Sequence, residues 1–440
     1  MELNNKKMIN AWSMYDWANS VYSLVITSTI FPIYYYNVAR GANDSSEVDF
    51  FGIMVNNSVL YSYALSFSFL FTALILPLLS GIADYSGKKK LFLKIFVLIG
   101  SLSCMGLFFF VGENIEWGII CSVLASIGYS SSLVFYDAFL PEIVTQDKLD
   151  SVSAKGYTYG YIGSVILMII SVVLIQGFSD LFGEGGEGTA LATRVSFLLV
   201  GLWWIGFSLI PLIVLPDNIY NREGTKNMLT EGYREILKVW NSLKRLKVLK
   251  TFLLAFFFYN MGVQTVMYLA TSFGKDALQL PDASLMATIL IIQLVAALGA
   301  YLFAKLSKAK GNKFALLVMV FIWVGICLAA YFVETEYQFY ALAFVVGAVM
   351  GGIQSLSRAT YAKLIPENSI DHTSYFSFYD VAYNLSIVFG TFSYGFIFQL
   401  TGSMRNSALA LALFFIVGLG FLLLLKVPLA KGYHQKEAIA

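Results

Sequence analysis

The chain has 440 residues, of which 58% are hydrophobic, 16% aromatic and only 13% charged, against roughly 25% charged in an ordinary soluble domain. At a mean hydropathy of +0.71, a soluble fold would lack polar side chains to cover its surface, which excludes a soluble enzyme, a nucleic-acid binder and a disordered chain. The hydrophobic share, about 255 residues, supplies roughly twelve helices at about 20 residues per membrane crossing.

In chain order, apolar runs long enough to span fall near 17–37, 56–83, 91–111, 116–139, 157–177, 194–214, 251–272, 283–305, 314–333, 338–363, 376–400 and 407–426. The first follows a basic start and has no convincing cleavage site, so it reads as a spanning helix and not a signal peptide. The run at 157–177 is the weakest, because its front is only moderately apolar. None shows the alternating pattern of an outer-membrane barrel. The expected fold class is therefore an all-α integral membrane protein of twelve transmembrane helices.

Orientation follows from Lys and Arg alone. With a cytoplasmic N-terminus, Arg40, Arg194, Lys275 and Arg405 face outward and the other 25 of the 29 face inward. The outside loops collect acids instead, among them Asp44, Glu47, Glu113, Asp180, Glu184 and Glu334. So uneven a split predicts twelve spans with both termini in the cytoplasm.

The longest polar stretch, about 216–250, separates spans six and seven. Leu229, Tyr233, Ile236, Leu237, Trp240 and Leu243 recur at the spacing of one helical face, and Arg234, Lys238, Lys244, Arg245 and Lys247 supply a basic side. Such a helix is expected on the inner leaflet, its cations near the anionic lipid headgroups over 226–250. The alternative is a solvated linker helix. The expected domains are a six-helix unit over 1–215, this linker over 216–250, and a second six-helix unit over 251–440 ending in a short tail.

Those two units read as parallel repeats. Gly87 in the loop after span two and Gly311 in the loop after span eight lie 224 residues apart. Pro141, after span four, and Pro366, after span ten, lie 225 apart. Tyr15-Asp16 in span one matches Tyr259-Asn260 in span seven at an offset of 244, the excess arising from the longer loop at about 38–55. Parallel repeats with a binding site at their interface are a transporter architecture.

The segment Gly81-Ile82-Ala83-Asp84-Tyr85-Ser86-Gly87-Lys88-Lys89-Lys90 carries the strongest local signal. Its glycines permit a tight turn between two spans. Asp84 can accept from backbone N–H groups or a nearby lysine, and the lysines anchor at the headgroups. In span one, Asp16, Asn19, Ser20, Ser23 and Thr27 form a polar stripe that must face other helices or water. The Gly81–Lys90 segment resembles the inter-helix loop signature of the major facilitator superfamily. The opening Tyr15-Asp16-Trp17-Ala18-Asn19-Ser20 resembles the vacuole effluxer branch of that superfamily, as do residues 135–143, 351–367 and 378–380.

The resemblance implies two parallel six-helix halves and export or exchange of small metabolites, amino acids being the substrates suggested for eukaryotic relatives. It gives Gly81, Asp84, Gly87, Lys88 and Lys89 the role of a latch between the halves. Lys308 stands where the second repeat would need an aspartate, so no matching latch is expected there. It also implies a multi-pass protein of a bacterial plasma membrane, acting as a monomer.

Further polar residues fall on helices that would line or approach a central cavity: Tyr15, Asn260, Gln264, Tyr268, Thr271, Gln354, Ser357, Tyr361, Tyr379, Tyr383, Asn384 and Thr391. Amides donate and accept, which suits a zwitterionic or polyhydroxyl ligand. Helix-to-helix hydrogen bonding is the competing explanation for each of them. Four ionisable residues stand near span ends: Asp16, Asp137, Arg358 and Asp380. An unpaired charge there costs roughly 2.5–3.5 kcal/mol, so Arg358 is expected to pair with a carboxylate, Asp380 first because spans ten and eleven are consecutive. Asp16 and Asp137 would then be left to carry a proton, or the set would form an inner gate of salt bridges.

Cys104, Cys121 and Cys327 sit in apolar runs and read as core residues. Two histidines are too few for a histidine metal centre, and no phosphate-binding glycine loop or nucleophile–base pair is present, so neither metal nor cofactor is expected. The leading function is a secondary transporter, coupled to protons or to the substrate's own gradient. A receptor or scaffold with a transporter fold is the alternative, an intramembrane enzyme lies behind both, and sugars, drugs and lysolipids stay open as cargo.

Overall fold

The computed structural model describes residues 2–40, 47–112, 114–182, 187–222, 224 and 227–426; the expected C-terminal tail lies outside them. The chain begins with α1 (Lys6–Val21), passes through a π-helical segment (Tyr22–Thr27) into α2 (Ile30–Arg40), and makes a hairpin of β1 (Glu47–Phe50) and β2 (Ile53–Asn56). Then come α3 (Asn57–Ser86), α4 (Lys89–Gly106), α5 (Ile115–Asp137), the one-turn α6 (Leu140–Ile143), α7 (Leu149–Phe182) and α8 (Glu187–Val214). After α9 (Met228–Arg245) follow α10 (Lys247–Leu278), α11 (Asp282–Lys310), α12 (Asn312–Phe332), α13 (Glu336–Leu364), α14 (His372–Thr401) and α15 (Met404–Leu424).

Among the described residues, ten helices are long and apolar enough to cross a membrane, and α9 with α10, bent by 94° at their junction, supplies an eleventh. The remaining expected span, 17–37, is the one that departs from a plain helix. Pro32 cannot donate to the Ser28 carbonyl, and upstream of it the hydroxyls of Ser28 and Thr29 bond back to the carbonyls of Ser23 and Leu24. The helix widens to a π turn over Tyr22–Thr27 and restarts at Ile30. π turns recur at functional sites, and this one forms part of a cavity wall.

The repeat offsets correspond to repeated structure. Gly87 and Gly311 both adopt positive φ, +70° and +87°, at the turns after α3 and α11. The halves meet through α7 against α11 and α13, and through α3 against α14. Spans two and eleven thus mirror spans eight and five, as two equivalent units facing each other require. Close approach depends on small residues: a Cβ on Gly351 would stand 1.9 Å from the Ala296 carbonyl oxygen, which lets α13 pack on α11.

The basic amphipathic helix forms as α9, but its apolar face divides. Gly232, Val239 and Leu243 are buried against the protein, while Leu229, Tyr233, Leu237 and Trp240 are exposed. Contact with α3 is tight, since a Cβ on Gly81 would lie 2.2 Å from the Gly232 carbonyl oxygen. On its other flank Trp240 meets Phe378, ring centres 5.5 Å apart, and Tyr375 of α14 donates to Ser242 at 2.9 Å. The helix therefore straps a span of one half to a span of the other.

Candidate functional site

Arg358 on α13, 1% exposed, is the centre of the polar seam. Its Nη2 lies 3.0 Å from Asp16 Oδ2 of α1, and its Nη1 lies 3.0 Å from Asp137 Oδ1 at the end of α5. The remaining N–H groups reach Ser153 on α7, Nε to Oγ at 2.9 Å and Nη2 to the carbonyl at 3.0 Å. Its guanidinium carbon lies 4.3 Å from the ring centre of Tyr157 and 4.8 Å from that of Trp12. Tyr136 adds a hydrogen bond to Asp16 Oδ2 at 2.9 Å. One C-half cation thus holds two N-half carboxylates and the start of α7.

This corrects the expected pairing with Asp380. Consecutive spans need not face each other, and Arg358 points across the seam toward the other half. Asp380 accepts instead from the Asn384 amide one turn along α14, at 2.6 Å. Gly156 of α7 faces this ion pair. Here a Cβ would stand 2.2 Å from Asp16 Oδ2 and 3.0 Å from Arg358 Nη2, so only glycine admits the ion pair against α7.

Toward the ends of the helices on the same, basic side, two sets of polar contacts between the halves flank this cluster. In the first, Asp84 near the end of α3 accepts the backbone N–H groups of Thr373 (3.2 Å) and Ser374 (2.7 Å) in the first turn of α14. An anion there meets unsatisfied N–H groups and the positive end of the helix dipole. Arg222 bridges the Asp84 carbonyl, at 2.5 Å, to Asp371, at 2.6 Å, and Lys238 of α9 reaches Asp371 at 2.8 Å. Burial pushes the Asp371 carboxyl up, but Lys238 and Arg222 outweigh it and hold the group below its ordinary value. Of the loop lysines, Lys89 pairs with Glu142, Lys90 lies 3.1 Å from Asp217, and Lys88 is exposed.

The second repeat also joins the halves at this level, through an acid on the opposite partner. Lys308 is exposed. The acid is Asp150, in the first turn of α7, and it accepts from Ser307 (2.9 Å), from Asn312 (2.8 Å) and from Lys363 (2.6 Å). Matching the loops for an aspartate misses it because the aspartate lies on the other partner. Its only sequence trace is an acid placed to open a helix.

Beyond Arg358 the seam widens into a cavity walled by both halves. Asp16, Asn19, Ser20, Gln264, Gln354 and Tyr379 line it as expected, together with Asp137, Arg358 and Asp380. Tyr15, Asn260 and Asn384 do not line it. The Tyr15 ring packs on Tyr136, centres 4.6 Å apart. Asn260 donates to Ser386 at 2.6 Å and accepts from Gln264 at 3.2 Å, joining α10 to α14, and Asn384 is committed to Asp380. For Asn260 the helix-to-helix explanation holds, whereas Asn384 bonds along its own helix and Tyr15 is held by ring packing. The side chain of Thr271 lies outside the described residues.

Several lining residues drew no notice in the sequence. Tyr129, Tyr157 and Tyr161 face Tyr268 and Tyr383 across the cavity, and Tyr161 donates to Gln354 at 2.6 Å from one half to the other. The signal was in the composition, 27 tyrosines, but not in any local pattern. Among the described residues, no group of three or more His, Cys, Asp or Glu could hold a metal ion. The arrangement suits reversible binding between two bodies whose polar contacts gather at one side.

Comparison with known proteins places this geometry. The profile of a family described as vacuole effluxer Atg22 like matches residues 4–437. YxiO, an MFS-type transporter of Bacillus subtilis, is 32% identical over 417 residues, covering 94% of this chain and 93% of the relative. Autophagy-related protein 22 of Eremothecium gossypii is 24% identical over 483 residues, covering 98% and 92%. Among solved structures, the E. coli fucose:proton symporter FucP, in an outward conformation, aligns with a TM-score of 0.70 at 13% identity, covering 96% of this chain and 98% of that one. The proton:xylose symporter XylE aligns with a TM-score of 0.71 at 13% identity, covering 97% and 96%. At such identities these two speak to the fold, which is that of the major facilitators.

Proposed function

We propose, on the premise that this chain belongs to the Atg22-like vacuole effluxer family of the major facilitators, that it moves small metabolites across a membrane by alternating access. The observation that carries the reading is the Arg358 cluster. It bars the cavity on the basic side with ion pairs that run between the halves, so a tilt of one half on the other must break them. In our reading 1–215 and 251–440 are the two moving bodies, and α9 within 216–250 straps them while the basic side is closed.

By the distribution of Lys and Arg we assign the basic side to the cytoplasm of a bacterial cell, both termini included. The conformation described is then the one closed inward. The inner gate opens when Arg358 leaves Asp16 and Asp137, Asp84 leaves the start of α14, and Asp150 leaves Asn312 and Lys363. The exposed apolar stripe of α9 then rests in the inner leaflet, with Arg234 and Lys244 near anionic headgroups. Proton coupling through Asp16 and Asp137 is compatible with the same site, since a carboxylate released from Arg358 in a poorly solvated seam gains by taking up a proton.

The cargo we propose is a small nitrogen-bearing metabolite related to the amino acids, exported or exchanged. The effluxer name of the family supports that direction, and the cavity's mixture of amides, hydroxyls and carboxylates supports a polar cargo. The test is counterflow and gradient-driven uptake in proteoliposomes with ligands first found by thermal shift. Flux of a bound ligand is expected, with Asp16→Asn abolishing driven flux while sparing exchange. A ligand that binds firmly but never crosses would make the protein a receptor.

A further inference from the structure

We infer that the cavity takes its cargo as a protonated amine seated on Asp380, and that it prefers singly charged amines to zwitterionic amino acids. This rests on the transporter reading for its purpose, but not for its chemistry. Asp380 is 6% exposed and stands in the cavity wall. Its side-chain partner is the neutral amide of Asn384, at 2.6 Å, on one of its two oxygens. No lysine, arginine or histidine among the described residues pairs with it.

The rest of the cavity cannot serve the carboxylate of an amino acid. Arg358 is the cation in the lining, and its fork is already occupied by Asp16, Asp137 and Ser153. Three carboxylates thus face one guanidinium within one cavity, and the uncompensated charge is negative. A substrate carboxylate would enter against that charge with no free cation to meet it. An ammonium would supply what Asp380 lacks. A charge held unpaired in a poorly solvated site is costly, and an arriving opposite charge relieves that cost.

The walls agree with a cation. Tyr157, Tyr379 and Tyr383 line the same cavity, and tyrosine faces attract a desolvated ammonium. Tyr157 already holds the Arg358 guanidinium in this way, 4.3 Å from ring centre to carbon. Asn384 positions Asp380, and in the absence of cargo a proton can take the amine's place. Binding a cation at Asp380 would then release that proton, an exchange of one positive charge for another with no other reactant.

The experiment is a thermal-shift and equilibrium-binding comparison on the purified full-length protein. The probes are isoamylamine, tyramine and isobutylamine, each beside its parent amino acid, leucine, tyrosine and valine. At least one amine should raise the melting temperature, and its parent amino acid should bind roughly tenfold more weakly or worse. Asp380→Asn should lose the amine response while keeping a monodisperse, folded protein, and Asp380→Glu should restore part of it. Amino acids binding as well as their amines, an undiminished response in Asp380→Asn, or no response to any amine would each overturn the inference. If an amine binds through Asp380 but is not carried into proteoliposomes, the transport reading fails and this one stands. If amino acids are carried and amines do not bind, the reverse holds.

Discussion

The two sets of contacts that we propose as latches on the basic side occupy equivalent places in the repeat and are built with opposite charge. At α3 against α14 the loop side supplies the acid, Asp84, and the facing span supplies backbone N–H groups. At α11 against α7 the loop side supplies the donors Ser307 and Asn312, and the facing span supplies the acid, Asp150, with Lys363 closing the pair. The comparison teaches that the repeat transmits geometry and not residue type. Two helix ends must meet, and any complementary pair serves. The Asp84 contact of the first draws on a helix terminus, which salt screens little when buried. The second relies on a lysine whose side chain is 23% exposed, so it should weaken more in high salt.

The largest effect is expected between the latches, where neither can compensate. Arg358→Ala leaves two carboxylates buried without a cation and should cost about 3–5 kcal/mol, read as a fall in melting temperature and in folded yield. Arg358→Lys should recover only part, since an ammonium cannot span Asp16, Asp137 and Ser153 at once. If Arg358→Ala is as stable as the parent, the seam is not held at its centre and the latches carry the closure alone.

Next comes Gly156→Ala, which forces a methyl group into the space of Asp16 and Arg358 and should cost about 1–3 kcal/mol by overpacking. Its sharper readout is conformational. A cysteine at Ser130, in the cavity wall, should become reactive to an impermeant thiol reagent added from the basic side. No change in that labelling would mean that the ion pair tolerates displacement.

The latches themselves come third. Asp84→Ala should cost up to about 2 kcal/mol, as for a partly buried anion removed from a helix N-terminus. Asp150→Ala should cost about 1–3 kcal/mol, by stranding Lys363 and Asn312. Both should raise labelling at position 130 from the basic side. Rising salt should reproduce the Asp150→Ala phenotype before the Asp84→Ala one, and the opposite order would break the comparison.

The smallest effect concerns pH. Asp371 is held below its ordinary value by Lys238 and Arg222, against its burial. A depressed carboxylate contributes stability above its ordinary value of about 3.9 and loses it as pH falls through the lowered folded value. The strap from α9 to α14 should therefore hold unchanged between about pH 5 and 8, and Asp371→Asn should leave the pH profile of transport in that range unaltered. A profile flattened by Asp371→Asn would assign the strap a role in coupling.

Much of the fold was legible in the sequence because lipid imposes a one-dimensional demand. Spans, their number and the basic loops are written as apolar runs and charge counts, and eleven of the twelve runs meet that description directly. The first did not announce its break, because a π turn leaves apolar content untouched and depends on where Ser28, Thr29 and Pro32 fall along the turn. The loop Gly81–Lys90 and the stripe from Asp16 to Thr27 were equally open to reading, since both are local. Asp16, Asn19 and Ser20 reach the cavity because a helix presents i, i+3 and i+4 on one side.

Partner choice was not legible. The same list of buried polar residues contains cavity walls, such as Gln264 and Gln354, a helix-to-helix bond at Asn260 and a bond within one helix at Asn384, and residue type does not separate them. By itself the sequence determined that four ionisable groups must be buried near span ends and that their charges must be answered. Only the tertiary structure decided that Arg358 answers Asp16 and Asp137, that Asp150 replaces the missing loop aspartate, and that Asp380 is left to the cavity. The reason is directional: hydrophobic burial asks only how much apolar surface a segment carries, whereas an ion pair asks which faces of distant helices meet, to within a fraction of a helical turn.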